Sequence, residues 1–203
     1  MTDRPIIFSA ATVRALLAGC KTQTRRLAWH VVTGEVPLGA ERAIHPTPWQ
    51  RVRVGDRLWV RETWSLSGHQ ADATGKEYFD PRGMLAGHLR FRADAHGYDV
   101  AVQHWRSAIH MPCWASRLTL SVIAMRIERL QAITDADAMA EGVPADLMDD
   151  KGIVRRNFRP VALMNFIRLW ESLHGVGAWD INPEIVVISF KVEARNIDQT
   201  IAA

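Results

Sequence analysis

The sequence predicts an α+β fold in which a small sheet or barrel is flanked by helices. Strand-like and helix-like segments do not alternate regularly along the chain, which argues against a doubly wound parallel sheet. The longest strand pattern, Leu118 to Leu130, changes the parity of its apolar residues after Ile123. Such a change requires a bulge or a sharp bend, and barrels need bends of this kind to close.

The bulk composition indicates one globular domain spanning residues 1–203. Hydrophobic residues make up 48% and charged residues 23% of the chain, which is ordinary for a globular protein. No apolar run is long enough to span a bilayer, and the N-terminus lacks the apolar core of a signal peptide, so we expect no membrane partner. The two cysteines, Cys20 and Cys113, are too few for an exported disulfide scaffold and favour the reducing cytoplasm.

The N-terminal region predicts a strand, a helix and a second strand in close succession. Ile6 to Phe8 form the first strand, and Ser9 is a good N-cap for a helix over Ala10 to Ala18. Gly19 suits the position after the helix, where a left-handed residue often ends it. The polar and basic segment Cys20 to Leu27 then predicts a loop that enters a strand.

The central region predicts strands separated by two insertions. Glycines and prolines mark the first insertion, at about 28–50, and mixed charge with four glycines marks the second, at about 67–87. Between them, Gly55-Asp56 predicts a turn and Leu58 to Trp64 a strong strand. A further strand is predicted over Leu89 to Asp94, where apolar and charged residues alternate.

The C-terminal region predicts two helices and a closing strand. Thr134 and Asp137 have the spacing of a capping box, and Gly142 is expected to end that helix. Pro160 opens the second helix, because proline is favoured at a first helical position. Val186 to Val192 alternate apolar and polar residues and predict the last strand. Four apolar side chains of the second helix are expected to pack inward: Val161, Met164, Trp170 and Leu173.

The segment Gly19 to Arg26 carries the densest set of reactive side chains. It places an amine, two threonine hydroxyls and two guanidinium groups between a helix and a strand. Such a cationic corner suits an anion or the edge of a nucleobase. The alternative is a surface turn whose threonines simply favour the strand. The candidate residues are Lys21, Thr22, Thr24, Arg25 and Arg26.

A second candidate set follows on the strong central strand. Trp59, Arg61, Glu62 and Trp64 lie close together there. If the strand lines a ligand-holding barrel, Glu62 can accept a hydrogen bond from a cytosine amino group. The alternative is a pair of core tryptophans flanked by surface charges.

Several common catalytic motifs do not occur in the sequence. It has no phosphate-binding G-x-x-x-x-G-K-[ST], no G-x-G-x-x-G and no G-x-S-x-G. His110 and Cys113 are two possible zinc ligands without a second pair at suitable spacing, so we expect no bound metal and no cofactor. A formal net charge of +3 permits a nucleic-acid partner without requiring one.

Several motifs occur in an order that resembles the ASCH family of PUA-like proteins. The segment Gly19 to Arg26 fits the G-x-K-x-x-T-x-R signature of the family. The resemblance implies a PUA-like small β-barrel with flanking helices, and is closest to the larger ASCH proteins of phages and prophages. The other matching parts are Gly55 to Glu62, Ile109 to Pro112, Asp135 to Val143, Trp179 and Val186 to Val192.

The resemblance also implies an activity. ASCH relatives include a small bacterial amidohydrolase of N4-acetylcytidine that uses a lysine, a threonine and a glutamate. By motif position these correspond to Lys21, Thr24 and Glu141, acting as base, nucleophile and proton donor. The alternatives are a module that only binds RNA or a modified base, a ribonuclease that uses the same cleft, and a phage accessory protein that binds a protein partner. We expect RNA or a nucleoside as ligand.

The position of Glu141 gives an independent hint. It ends its predicted helix, just before Gly142. A carboxylate there faces the negative end of the helix dipole at a cost of about 0.3–1 kcal/mol, which favours a functional reason for its presence. The alternatives are that the helix is too short for its dipole to matter, or that a nearby arginine pairs with Glu141.

Overall fold

The computed structural model describes residues 1–31, 44–66, 89–96, 105–143 and 161–201, and these residues form an α+β fold. The predicted fold class is therefore confirmed at this level. The helices are α1 (Ala10–Leu17), α2 (Asp135–Ala140) and α3 (Val161–His174). The strands are β1 (Asp3–Ile7), β2 (Gln23–Leu27), β3 (Trp29–Val31), β4 (Ile44–Pro46), β5 (Arg57–Arg61), β6 (Trp64–Leu66), β7 (Leu89–Phe91), β8 (Thr119–Arg129) and β9 (Glu184–Glu193).

The main sheet has five strands in the order β1-β5-β8-β9-β2. β1 pairs with β5 in parallel, whereas β5 with β8 and β2 with β9 are antiparallel, so the sheet is mixed. Two small antiparallel sheets, β3 with β4 and β6 with β7, accompany it. No closed barrel forms among the strands of the described ranges.

Tertiary contacts divide the chain into two compact units. Unit 1 comprises residues 1–18, 56–121 and 192–203, and unit 2 comprises residues 19–55 and 122–191. The prediction of one domain over residues 1–203 stays a prediction. None of the helices in the described ranges is long and apolar enough to cross a membrane.

Unit 1 is organised around β5 and its neighbours. Leu58 and Val60 are buried, in register with Leu120 of β8 and Ile6 of β1 respectively. Ser9 caps α1 as predicted, because its hydroxyl accepts from the Thr12 N–H. These local signals place the first helix directly after the edge strand.

The strong strand predicted over Leu58 to Trp64 is interrupted in the structure. β5 ends at Arg61 and β6 begins at Trp64. The Glu62 N–H donates to the Met111 sulphur at 3.2 Å, and Trp64 pairs with Phe91 of β7. The chain therefore leaves the main sheet and joins a small one. This exchange depends on tertiary partners that periodicity does not reveal.

Two other predicted strands are affected by their surroundings. β7 ends at Phe91, short of Asp94, because the Asp94 N–H turns back to the Phe91 carbonyl at 3.0 Å. β8 is one residue shorter at each end than the predicted strand, and none of its residues from Ile123 onward is buried. The change of parity thus coincides with the end of burial, and the expected bulge stays a prediction.

Unit 2 contains β2, most of β8 and β9, and the helices α2 and α3. Thr134 and Asp137 form the predicted capping box at the start of α2. Gly142 follows α2 with φ +80°, and Gly175 follows α3 with φ +99°, both in the left-handed region that favours glycine. The core joins both helices to the buried residues Ile185 and Val187 of β9.

The prediction of which α3 side chains pack inward is partly wrong. Trp170 is buried, whereas Leu173 is 67% exposed. The buried stripe consists of Ala162, Phe166 and Trp170, which are spaced four residues apart. The small side chain of Ala162 contributes little to the hydrophobic pattern of the sequence. The predicted buried face of α3 therefore differs in its angle around the helix axis from the observed one.

The two predicted insertions have different outcomes. The first contains structure at both ends, since β3 and β4 form a hairpin with His30 opposite His45. The second, at about 67–87, lies outside the described residues.

Candidate functional site

Two segments that are 120 residues apart in sequence meet in unit 2. Gly19 follows helix α1 and has φ +72°, in the left-handed region. The short segment after Gly19 leads into β2. Lys21 forms an antiparallel β-bridge with Glu141, and the Thr22 N–H donates to the Ala140 carbonyl at 2.8 Å. Backbone pairing thus fixes the end of α2 against the start of β2 and brings two of the three predicted catalytic residues together.

The Lys21 and Glu141 side chains form a buried ion pair. Lys21 Nζ donates to Glu141 Oε2 at 2.7 Å and to the Glu141 carbonyl at 2.8 Å. The two side chains are only 4% and 7% exposed. Burial lowers the pKa of Lys21; the Glu141 carboxylate opposes this shift, and the positive charges of Arg26 and Arg25 add to it. Lys21 is thus held where its amine gives up a proton more readily than a solvated lysine.

Arg25 binds the other oxygen of the Glu141 carboxylate. Its Nη1 donates to Glu141 Oε1 at 3.1 Å and to Gln23 Oε1 at 2.7 Å. Its Nη2 donates to Glu128 Oε1 at 3.2 Å and lies 3.6 Å from Asp137 Oδ2. The Arg25 side chain is only 1% exposed. Arg25 connects β2, β8 and α2 from the inside, and its predicted role in substrate binding stays a prediction.

The pairing explains why a carboxylate is tolerated at the end of α2. Glu141 is the C-cap of a helix of six residues. Both of its carboxylate oxygens accept hydrogen bonds from cations, Lys21 and Arg25. The alternative of a nearby arginine partner is therefore realised, together with the ion pair to lysine.

Sequence reasoning missed the outer part of this network. Arg126 donates from Nε to Glu128 Oε2 at 2.7 Å and from Nη2 to Asp137 Oδ1 at 3.1 Å. Its side chain is 42% exposed, so it closes the network toward solvent. Asp137 was recognised only for its capping role. We call the whole set the charged cluster; its members are Lys21, Arg25, Arg126, Glu128, Asp137 and Glu141.

Asp137 predicts a measurable acid sensitivity. Burial alone would raise its pKa, but hydrogen bonds from Thr134 and Arg126 and the charge of Arg25 lower it from 3.8 to about 2. Its contribution to stability is complete above its unfolded pKa and is lost as the pH falls toward 2. We expect Asp137→Asn, which keeps an acceptor for the cap, to lose about 2 kcal/mol relative to the parent at neutral pH and much less near pH 2. Urea unfolding across this range measures the difference, and a difference independent of pH would contradict the assignment.

Thr24, the third predicted catalytic residue, lies on β2 opposite Ile188 of β9 and is buried. Alternation along the strand puts its side chain on the opposite face from Gln23 and Arg25. The contacts that join Lys21 to Glu141 therefore do not pass through Thr24.

The remaining predicted residues of this segment differ in exposure. Thr22 is exposed, whereas Arg26 is half-buried and its guanidinium lies 5.5 Å from the centre of the Trp49 ring. Burial lowers the pKa of Arg26, and the charge of Glu141 opposes that shift. Arg26 is thus electrostatically linked to the charged cluster.

The second predicted set belongs to unit 1 and has its own environment. Glu62 is 1% exposed and accepts from Arg117, with Nε 2.8 Å from Oε1 and Nη2 3.1 Å from Oε2. Burial raises the pKa of Glu62, and the hydrogen bonds and charge of Arg117 oppose this. Both oxygens proposed to bind a cytosine amino group are therefore held by Arg117.

The two tryptophans of this set are placed differently. Trp64 is buried against Met111 and Ala115, as expected of a core tryptophan. Trp59 is half-buried, with the Arg61 guanidinium 5.4 Å from its ring centre. The core alternative therefore fits Trp64 but not Trp59.

Neither a metal-binding group nor a similar protein adds information about the candidate site. Within the described ranges, no group of three or more His, Cys, Asp or Glu side chains could hold a metal ion. Comparison of the chain with protein-family models, with curated proteins and with solved structures finds no match.

Proposed function

We propose that the chain is an amidohydrolase of N4-acetylcytidine or of similarly acylated cytidines, with Lys21 and Glu141 as its proton-transfer pair. One observation carries the proposal: the buried contact of 2.7 Å between Lys21 Nζ and Glu141 Oε2. A buried lysine whose pKa is lowered by desolvation, as that of Lys21 is, is typical of reactive sites. The contact joins the two positions that the resemblance to ASCH amidohydrolases assigns to base and acid.

The pair needs no proton from solvent to reach its reactive form. The resting pair holds one shared proton, as ammonium and carboxylate. Transfer of that proton along the hydrogen bond gives a neutral amine on Lys21 and a carboxylic acid on Glu141. Burial favours the neutral amine of Lys21. The hydrogen bond from Arg25 to Glu141 Oε1 opposes it, because it stabilises the carboxylate.

Hydrolysis then proceeds by acyl transfer. The neutral amine of Lys21 takes the proton from the Thr24 hydroxyl, and the Thr24 oxygen attacks the acetyl carbonyl carbon. The bond from that carbon to N4 breaks, and N4 takes the proton of Glu141. Water hydrolyses the acetyl-threonine ester, so one water is consumed and acetate and cytidine are released. The proposal requires the Thr24 hydroxyl to reach Lys21 when the nucleoside binds.

A specific observation favours a second candidate function. Thr24 lies on the opposite face of β2 from Arg25, and Lys21 and Glu141 are already bonded to each other. These features suit a module that binds RNA or a modified base in the same place without reaction. The first and second candidates share their residues and differ in turnover.

We also propose that the five-stranded sheet belongs to a PUA-like fold of the ASCH type. Support comes from the order of elements around the signature: helix α1, the left-handed Gly19, the Lys21 bridge and strand β2. The small number of cysteines, Cys20 and Cys113, supports a role in the reducing cytoplasm.

The proposed activity is tested by measuring product and binding separately. We expect the full chain to convert N4-acetylcytidine into cytidine and acetate, as followed by chromatography, and the Lys21→Met variant to form neither. Calorimetric binding of the nucleoside without any product would replace the hydrolase by the binding module. Absence of both binding and product would contradict both candidates.

A further inference from the structure

One side of unit 1 carries half-buried side chains along a single extended run. Burial alternates without interruption from Leu58 to Trp64, although the chain changes sheets on the way. Leu58, Val60, Glu62 and Trp64 are buried on one side of this run. Trp59, Arg61 and Thr63 are half-buried on the other side, since successive side chains of an extended chain point in opposite directions.

The hairpin β6–β7 extends this side. The Arg92 N–H donates to the Thr63 carbonyl at 2.9 Å, which places Arg92 beside Thr63. Phe91 pairs with the buried Trp64, so the neighbours of Phe91, Arg90 and Arg92, lie on the opposite face, with Thr63. The Arg92 guanidinium is 5.6 Å from the centre of the Trp105 ring. We call this set the arginine–tryptophan stripe; its members are Trp59, Arg61, Arg90, Arg92 and Trp105.

The stripe is positively charged. Within the described ranges, Arg61, Arg90 and Arg92 form no ion pair with a carboxylate. Arg61 donates to the Ile109 carbonyl and Arg90 to its own neighbour, the Leu89 carbonyl. The carboxylates next to the stripe in sequence, Glu62 and Asp94, are both bound by Arg117. Three guanidinium charges are therefore left for an external anion.

We propose that the arginine–tryptophan stripe binds single-stranded nucleic acid. Guanidinium groups fork onto phosphates, and half-exposed indole rings offer stacking faces to bases. A duplex hides the faces of its bases, so the combination suits an unpaired strand. All members of the stripe belong to unit 1, whereas Lys21 and Glu141 belong to unit 2. The inference therefore does not rest on the proposed hydrolase.

Salt-dependent binding of labelled oligonucleotides tests the stripe. We expect the full chain to bind oligo(U) and oligo(dT) in fluorescence anisotropy, and a duplex of the same length more weakly. The double variant Arg61→Gln, Arg92→Gln should reduce the steepness of log affinity against log salt by about 1.4, that is about 0.7 for each lost phosphate contact. Trp105→Leu should weaken binding about 5- to 150-fold with the salt slope unchanged, because it removes stacking and no charge.

A matched control separates the stripe from net charge. Arg168→Gln with Lys191→Gln also removes two exposed cations, but from unit 2, and should leave the slope at the parent value. Equal weakening by both double variants would overturn the proposal, and so would equal affinity for duplex and single strands. Loss of binding in the Arg168→Gln, Lys191→Gln variant, with the stripe variants unaffected, would move the nucleic acid to unit 2 and overturn the stripe.

Discussion

Lys21→Arg is expected to lower turnover of N4-acetylcytidine by roughly two to four orders of magnitude, the usual contribution of a general base. Arginine keeps the positive charge that faces Glu141, but it does not deprotonate in proteins. The proton shared by Lys21 and Glu141 therefore cannot move to the carboxylate to leave a neutral base. Nucleoside affinity should stay near that of the parent chain. Steady-state turnover and calorimetric binding, measured on the same preparations, give the two quantities.

Two further variants make this result interpretable. Lys21→Met removes both the charge and the base, so it should reduce binding as well as turnover. Cys20→Ser changes the adjacent exposed residue and should retain both. Full turnover in Lys21→Arg would exclude Lys21 as the base, and near-UV circular dichroism of each variant identifies any that fails to fold.

Arg25→Met is expected to destabilise the protein by about 3–5 kcal/mol, because removing one partner of a buried charge network leaves the others uncompensated. Three carboxylates, those of Glu128, Asp137 and Glu141, would lose the cation that lies among them. The free energy of unfolding in urea measures this loss. The size of the effect follows from the 1% exposure of the Arg25 side chain.

Arg126→Met is the matched control for Arg25. Arg126 binds two of the same carboxylates, Glu128 and Asp137, from a side chain that is 42% exposed. Exposed ion pairs contribute about 0–1 kcal/mol, so this variant should remain close to the parent. If Arg25→Met were no less stable than Arg126→Met, the buried part of the charged cluster would not hold β2 to α2.

Local signals were sufficient for much of the fold. Ser9 and Gly19 delimit α1, and Thr134 with Asp137 begins α2, because caps and left-handed glycines depend on a few neighbouring residues. Alternation was sufficient for β9. The break between Arg61 and Trp64 could not be predicted in this way, since the chain changes partners there through contacts with Met111 and Phe91.

The candidate site likewise depends on tertiary contacts that local sequence patterns do not reveal. Lys21 and Glu141 are 120 residues apart, and no pattern in the sequence pairs them except the resemblance to ASCH proteins. The position of Arg25 depends on which strands neighbour β2 and on where α2 ends. For that reason the sequence could not reveal that the Arg25 side chain is buried and binds Glu128 and Glu141, and its role in ligand binding stays a prediction.

Titration of the Lys21 ammonium group by heteronuclear NMR tests the central claim most directly. We expect the pKa of Lys21 to lie below the usual 10.4 for lysine, since burial outweighs the attraction of Glu141. We also expect this pKa to change when N4-acetylcytidine is added, because the nucleoside would lie against the pair. An ordinary lysine pKa that the nucleoside leaves unchanged would contradict the claim that Lys21 and Glu141 form the reactive pair.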